Sequence, residues 1–167
     1  TIPCLALRDW VYIVAGFAGI LGFALLLVQP VLSLPRRHAL APARGRRLHK
    51  WLGGVILLLI VLHVVGLWIT SPPDVMDALM LRSPTPFSLW GVLAMWAAFA
   101  TAALALLRRP LRLGPKGWRS LHGVLVAVIV GGGVAHALLI EGTMEIISKV
   151  ALCFGILALT LWAFTQR

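Results

Sequence analysis

Five long apolar segments, each close to the length of a membrane-spanning helix, constrain this chain more than any other feature. They cover about residues 10–31, 48–69, 89–107, 121–140 and 145–164. A helix needs about 20 apolar residues to cross about 30 Å of hydrocarbon. Backbone polar groups in lipid must pair within their own segment, so helices are expected. We therefore predict an all-α membrane protein, a bundle of five transmembrane helices forming a single domain over residues 1–167.

Composition supports a membrane environment and argues against nucleic-acid binding. Only 12% of residues are charged and 60% are hydrophobic, whereas about a quarter of a soluble domain is charged. The formal net charge is +10, but the basic residues lie in short loops between apolar runs rather than on one polar face. We expect lipid as the surroundings and no nucleic-acid partner. Cys4 and Cys153 are too few for a disulfide framework, and Cys153 should pack in its helix.

The chain ends suggest a processed or partial product. The sequence begins at Thr1 without an initiator methionine and stops at Arg167, directly after an apolar run. It lacks the basic region and small-residue cleavage site of a signal peptide. The lack of a soluble domain is therefore weak evidence about the protein's activity.

The charges between the apolar runs predict the orientation in the membrane. The first and third loops carry 11 of the 15 basic residues, and all five acids fall on the opposite side. The basic residues of these loops are Arg36, Arg37, Arg44, Arg46, Arg47 and Lys50, then Arg108, Arg109, Arg112, Lys116 and Arg119. The positive-inside rule places both loops in the cytoplasm, with the N-terminus outside and the C-terminus inside. The longest outside loop, between the second and third runs, should include a short amphipathic turn of helix.

Four histidines recur at equal spacing in two of these helices. His49 and His63 in the second run are 14 residues apart, and so are His122 and His136 in the fourth. Both helices leave the cytoplasmic side, so His49 matches His122 in depth, and His63 matches His136. Fourteen residues rise about 21 Å and leave the second ring about 40° from the first. Each helix therefore presents two imidazoles on nearly one face.

Paired imidazoles at two depths are what two bis-histidyl haems require, since neutral imidazole is a good ligand for iron. A single intramembrane histidine often serves packing or proton movement instead. Four at matched depths favour the haems, which we expect between the second and fourth helices. His38 has no partner at matched depth, and we expect it to face solvent or lipid headgroups.

Glycines and cations accompany the predicted ligands. Glycines beside the histidines leave room for a flat macrocycle, although they also permit ordinary close helix packing; they are Gly53, Gly54, Gly66, Gly123, Gly131, Gly132 and Gly133. Basic residues next to the inner histidines, namely Arg46, Arg47, Lys50 and Arg119, are candidates to pair with haem propionates. Membrane topology and anionic lipid explain the same charges equally well. Tryptophans near the helix ends fit an interfacial belt.

The pattern R-R-L-H-K-W-L-G with a later L-H, followed by W-R-S-L-H with a later A-H, resembles the ferric reductase-like transmembrane domain. That family includes ferric reductases, the membrane part of NADPH oxidases, and a haem-binding subunit of a bacterial methionine sulfoxide reductase system. The resemblance implies that His49 pairs with His122 on an inner b-type haem, and His63 with His136 on an outer one. It also implies an iron-containing cytochrome b in a membrane, here expected to be a bacterial inner membrane.

This chain departs from the family's six-helix pattern because its five helices match the last five. A flavin on a missing domain or on a partner is implied, since fused relatives carry that domain after the last helix. No G-x-G-x-x-G motif is present.

The expected function is electron transfer across the membrane through two haems, from a cytoplasmic donor to an extracytoplasmic acceptor. The donor is expected to be a flavoprotein or a quinol, and the acceptor ferric iron, oxygen or an extracytoplasmic redox partner. Ile56 and Ile129 lie midway between the histidine levels and should pack between the rings. One alternative is a quinol-linked cytochrome b anchor that feeds a separate extracytoplasmic enzyme. Another is a membrane scaffold without redox chemistry.

Overall fold

The computed structural model describes residues 10–33, 42–142 and 144–166, and all regular structure in these ranges is helical. The helices are α1 (Trp10–Leu25), α2 (Val28–Ser33), α3 (Pro42–Thr70), α4 (Pro72–Leu79), α5 (Pro86–Leu107), α6 (Pro115–Leu139) and α7 (Ile146–Thr165). Five helical segments within these ranges are long and apolar enough to cross a membrane. The prediction of an all-helical membrane protein with five spans is therefore confirmed. Cys4, Arg36, Arg37 and His38 lie outside the described residues.

Two spans begin earlier than their apolar character suggested. Helix α3 begins at Pro42 and α6 at Pro115, whereas the predicted starts were residues 48 and 121. Proline suits the first position of a helix because the missing N–H has no intrahelical partner there. Several basic residues assigned to loops one and three, such as Arg46 and Arg119, therefore lie on the first turns of helices.

The first span is broken rather than ended by proline. Helix α1 stops at Leu25, and Leu26 and Leu27 form turns whose amides donate to the carbonyls three residues earlier. Pro30 then lies in the first turn of α2, where its missing N–H removes no intrahelical bond. The helix therefore resumes in α2 and continues to Ser33.

The described residues fall into two compact units, and each is treated separately. The first unit contains residues 1–77 and 143–167. In it α1 and α2 pack on α3, and α2 also contacts α7. Helix α1 meets α3 through small residues, because a Cβ on Gly66 would lie 2.6 Å from Ala15 Cβ and one on Gly22 would lie 3.4 Å from Leu59 Cβ. These contacts show that α1 and α3 run antiparallel.

The second unit, residues 78–142, is built on the packing of α5 against α6. Gly132 of α6 lies so close to α5 that a Cβ there would be 2.9 Å from the Trp90 carbonyl oxygen and 3.2 Å from Ala94 Cβ. Most large apolar side chains in both units remain exposed, including Leu106 and Phe154. Helices that are apolar on all sides are typical of membrane spans, where lipid covers the remaining surface.

The final helix, α7, is capped by an acid at its start. The Glu145 side chain accepts hydrogen bonds from the backbone amides of Ile147 and Ser148. These bonds stabilise the carboxylate and lower the pKa of Glu145 below its ordinary value. Cys153 is a free thiol buried in the same helix, as its position in the apolar run predicted. Helix α4 supplies the short helical turn expected in the longest outside loop.

Candidate functional site

His63 is held by a main-chain carbonyl of the neighbouring helix. Its Nδ1 lies 2.8 Å from the carbonyl oxygen of Ala15 on α1. The ring rests directly against Gly19, where an added Cβ would stand 2.7 Å from Nδ1. The imidazole therefore occupies the space that any residue larger than glycine would fill at position 19.

His136 has the same environment on a different pair of helices. Its Nδ1 lies 2.8 Å from the carbonyl oxygen of Phe87 on α5. A Cβ on Gly91 would stand 2.6 Å from that nitrogen. The Phe87 ring contacts the imidazole edge-on, with centroids 5.9 Å apart.

These two arrangements repeat one pattern along the chain. In each, a carbonyl accepts from the histidine and a glycine follows that carbonyl four residues later. Corresponding positions on α1 and α5 are 72 residues apart, and the histidines are 73 apart. We call Ala15, Gly19 and His63 the first outer seat, and Phe87, Gly91 and His136 the second outer seat. The α1–α3 and α5–α6 pairs are therefore structural repeats.

The outer seats determine which ring nitrogen carries the proton. A carbonyl oxygen only accepts hydrogen bonds, so Nδ1 of His63 and of His136 must be the donor. In a neutral imidazole the other nitrogen, Nε2, then carries the lone pair. Histidines that bind metals usually donate their second N–H to such an acceptor, which fixes the tautomer and the ring orientation. Both residues thus have the proton distribution of a metal ligand through Nε2.

His49 is joined to α2 by two hydrogen bonds with one residue. Its Nδ1 lies 3.2 Å from the Gln29 carbonyl oxygen, and the Gln29 side-chain amide donates to the His49 carbonyl over 3.3 Å. The amide passes over Gly53, where a Cβ would be 3.5 Å from Gln29 Nε2, an ordinary contact. The tautomer is again the one protonated at Nδ1. Both imidazoles of α3 lie on its side that packs against α1 and α2.

His122 has a different neighbour, an aromatic ring on its own helix. The Trp118 ring stacks on the imidazole with centroids 5.1 Å apart and planes inclined by 11°. The Arg108 guanidinium lies 5.1 Å from the centre of a Trp118 ring. A cation over an indole is attracted by the negative face of the ring. Arg108 and His122 are thus joined through Trp118.

The predicted propionate partners are exposed, and the structure pairs none of them with an acid in the described residues. They are Arg46, Arg47, Lys50 and Arg119. Ile56, expected between the two histidine levels, is buried, and Ile129 is half-buried. The two ligands expected for each haem belong to different units, so each is described within its own unit.

No cluster of three or more histidine, cysteine or acidic side chains occurs in the ranges that the structure describes. A haem held by two histidines does not need one, because the porphyrin supplies the remaining ligands of iron.

Sequence reasoning missed Gly19, Gly91 and Gln29, and it treated Trp118 only as an interfacial residue. A signal was present for the glycines, since each lies about one helical repeat before a spaced pair of histidines. Glycine is common in membrane helices for packing, so composition alone does not single them out. The stack of Arg108 on Trp118 depends on the loop between α5 and α6, whose path the spacing of residues does not give.

The chain matches the family model described as "Ferric reductase like transmembrane component" over residues 18–133. No match was found among curated proteins or among solved structures. The family match covers more than half of the chain and includes His49, His63 and His122, ending three residues before His136. The integral membrane helices and the family both indicate a component of transmembrane electron transfer. The chain therefore belongs to the family of ferric reductase-like transmembrane components.

Proposed function

We propose that this protein is a two-haem b-type cytochrome that carries electrons across a membrane. His49 and His122 would hold the inner haem, and His63 and His136 the outer haem. The observation that carries the proposal is the repeated outer seat. Two histidines on different helix pairs make the same 2.8 Å hydrogen bond through Nδ1. Each therefore offers Nε2 to iron, as haem ligation demands.

The residues around the histidines fit this role. When bound, each haem supplies iron that accepts and releases one electron. The protein sets the depth of each ligand, holds each ring in place and surrounds the site with apolar side chains that exclude water. Buried Ile56 lies seven residues from each histidine of α3 and contributes to the apolar layer between the two levels.

The cytoplasmic side of the proposal rests on charge. Exposed Arg46, Arg47, Lys50 and Arg119 flank the inner histidines and would neutralise haem propionates. The same charges place the N-terminus outside and the C-terminus in the cytoplasm by the positive-inside rule. A bacterial inner membrane is the setting we propose.

The functional unit in this proposal is the whole of residues 1–167 as one haem domain, because each compact unit carries half of the ligands. The donor would be a flavoprotein or a quinol on the cytoplasmic side. The acceptor would be ferric iron, oxygen or a redox partner outside.

Spectroscopy of the purified protein tests the proposal most directly. A reduced-minus-oxidised spectrum should show b-type bands, and haem extraction should give two haems per chain. Colourless protein, or protein that binds no haem on reconstitution, would refute the function. Reduction by quinol but not by a reduced flavoprotein, in protein embedded in vesicles, would favour the quinol-linked anchor over the flavin-linked conduit.

The stack on His122 gives a further prediction for the inner haem. Trp118→Leu should free the His122 ring and release Arg108, removing an aromatic contact of about 0.5–1.5 kcal/mol. We expect the affinity for the inner haem to fall about tenfold, as for other residues that orient a ligand. The inner-haem band should broaden in low-temperature spectra. Trp96→Leu is the matched control, because Trp96 contacts Phe99 rather than a histidine. An inner-haem spectrum identical in both variants would contradict the prediction.

A further inference from the structure

We propose that Gly19 and Gly91 are positioning residues that set the reduction potential of the outer haem by seating His63 and His136 on main-chain carbonyls. The inference rests on the proposed function, because it concerns one of the two haems. It goes further by assigning the control of that haem to a glycine and a carbonyl on each of two helices that carry no iron ligand.

The steric basis is a property of the helix itself. A helical carbonyl points along the axis toward the residue four positions later. A side chain that approaches this carbonyl from a neighbouring helix must pass over that later residue. At Gly19 and Gly91 the absence of a Cβ leaves the space, and an added Cβ would come within 2.7 and 2.6 Å of the imidazole Nδ1. Alanine at either position would therefore displace the ring from its acceptor.

Other glycines of the chain show that these two are not simply packing residues. Gly66 and Gly132 are packing glycines, because their added Cβ atoms would meet backbone or Cβ atoms of the facing helix. Gly16 and Gly117 have nothing within 4 Å. Among all glycines in the described ranges, an added Cβ would meet an imidazole only at Gly19 and Gly91.

The electronic consequence follows from the hydrogen bond. An Nδ1–H that donates to a carbonyl makes the imidazole a stronger electron donor to its metal. A stronger donor stabilises the ferric state relative to the ferrous state and lowers the reduction potential. Both outer histidines have this bond at 2.8 Å. In contrast, the bond at His49 is 3.2 Å long and His122 stacks on Trp118. The outer haem is therefore the one with two matched, strongly donating ligands.

The experiment is a potentiometric titration of the haem-loaded protein, followed by its b-type bands and by electron paramagnetic resonance of the ferric state. Gly19→Ala and Gly91→Ala are compared with Gly16→Ala and Gly117→Ala, which lie in the same units. Each seat variant should raise the potential of one haem. The expected size is about a tenfold change in the ferrous-to-ferric ratio at fixed potential, equal to about 59 mV for one electron. The ferric resonance of that haem should shift, and the control variants should match the wild type.

The location of the change separates the two proposals. Gly19→Ala and Gly91→Ala should move the same haem, because His63 and His136 are assigned to one iron. Unchanged potentials and resonances in both seat variants would overturn the inference while leaving the two-haem function intact. Absence of haem from the wild type would instead refute the proposed function.

A second measurement on the wild type does not depend on a variant that folds. In the ferrous, low-spin protein labelled with nitrogen-15, two imidazole Nδ1–H protons should exchange slowly with solvent. These protons belong to the outer seats, where the carbonyl protects them. Rapid exchange of all imidazole protons would overturn the inference even if a seat variant failed to fold.

Discussion

Replacement of His63 with alanine is expected to remove the outer haem and to leave the inner haem reducible. The substitution deletes an axial ligand together with its hydrogen bond to Ala15. Loss of an orienting residue alone typically costs 10–100-fold in metal affinity, and loss of the ligand itself should exceed about 100-fold. Haem content per chain should therefore halve, and electron transfer across vesicle membranes should cease.

The control for this variant is His38→Ala. His38 is the remaining histidine and has no partner at matched depth, so its replacement should leave haem content and electron flow unchanged. Haem extraction and reduction of an acceptor trapped inside vesicles provide the two measurements. Electron flow that persists in the His63 variant would show that a relay through two haems is wrong.

Substitution of Gly132 with alanine should cause the largest loss of stability among single-methyl additions. The new Cβ would meet the Trp90 carbonyl oxygen at 2.9 Å, and that oxygen belongs to the backbone of α5, which cannot rotate away. Overpacking of this kind typically costs about 1–3 kcal/mol, and more where backbones must separate. We expect α6 to move away from α5 and the protein to unfold at lower denaturant concentration.

The adjacent glycine provides the comparison. Gly131 has nothing within 4 Å, so Gly131→Ala adds the same methyl group to the same helix without the clash. Unfolding in detergent, followed by circular dichroism, should give a lower free energy of unfolding for the Gly132 variant than for the Gly131 variant. Equal stabilities would mean that α5 and α6 do not pack as described.

The sequence was sufficient to predict the spans and the residues on them that merit attention. Each apolar run is as long as a bilayer is thick, so hydropathy determines the number of helices almost by itself. Helical periodicity then relates His49 to His63 through their spacing. That both of these rings face the α1–α2 side of α3 agrees with this periodicity.

Hydropathy could not predict where the helices begin. Helix α3 starts at Pro42 because its charged first turn extends beyond the apolar run, and a scale that rewards apolar residues ends where the charges start. It also misplaced the effect of Pro30, which interrupts the first span without ending it.

The outer seats were beyond prediction for a different reason. A seat requires a carbonyl and a glycine on one helix to meet a ring on another, about 48 residues away in the chain. One-dimensional patterns describe the face of a single helix and contain no information about its partner. The Trp118 stack was likewise missed because a tryptophan near a helix end already fits an interfacial role.

The use of main-chain oxygens as acceptors has a consequence for how this protein can vary. No point substitution removes the carbonyl at position 15 or 87, so the side chains there can drift under other pressures. The two halves already differ in this way: one has alanine, whose methyl group fits against Gly66, and the other has phenylalanine, whose ring borders His136. We expect a library that randomises both positions to yield active clones with many residue types, limited by volume at 15 rather than by polarity.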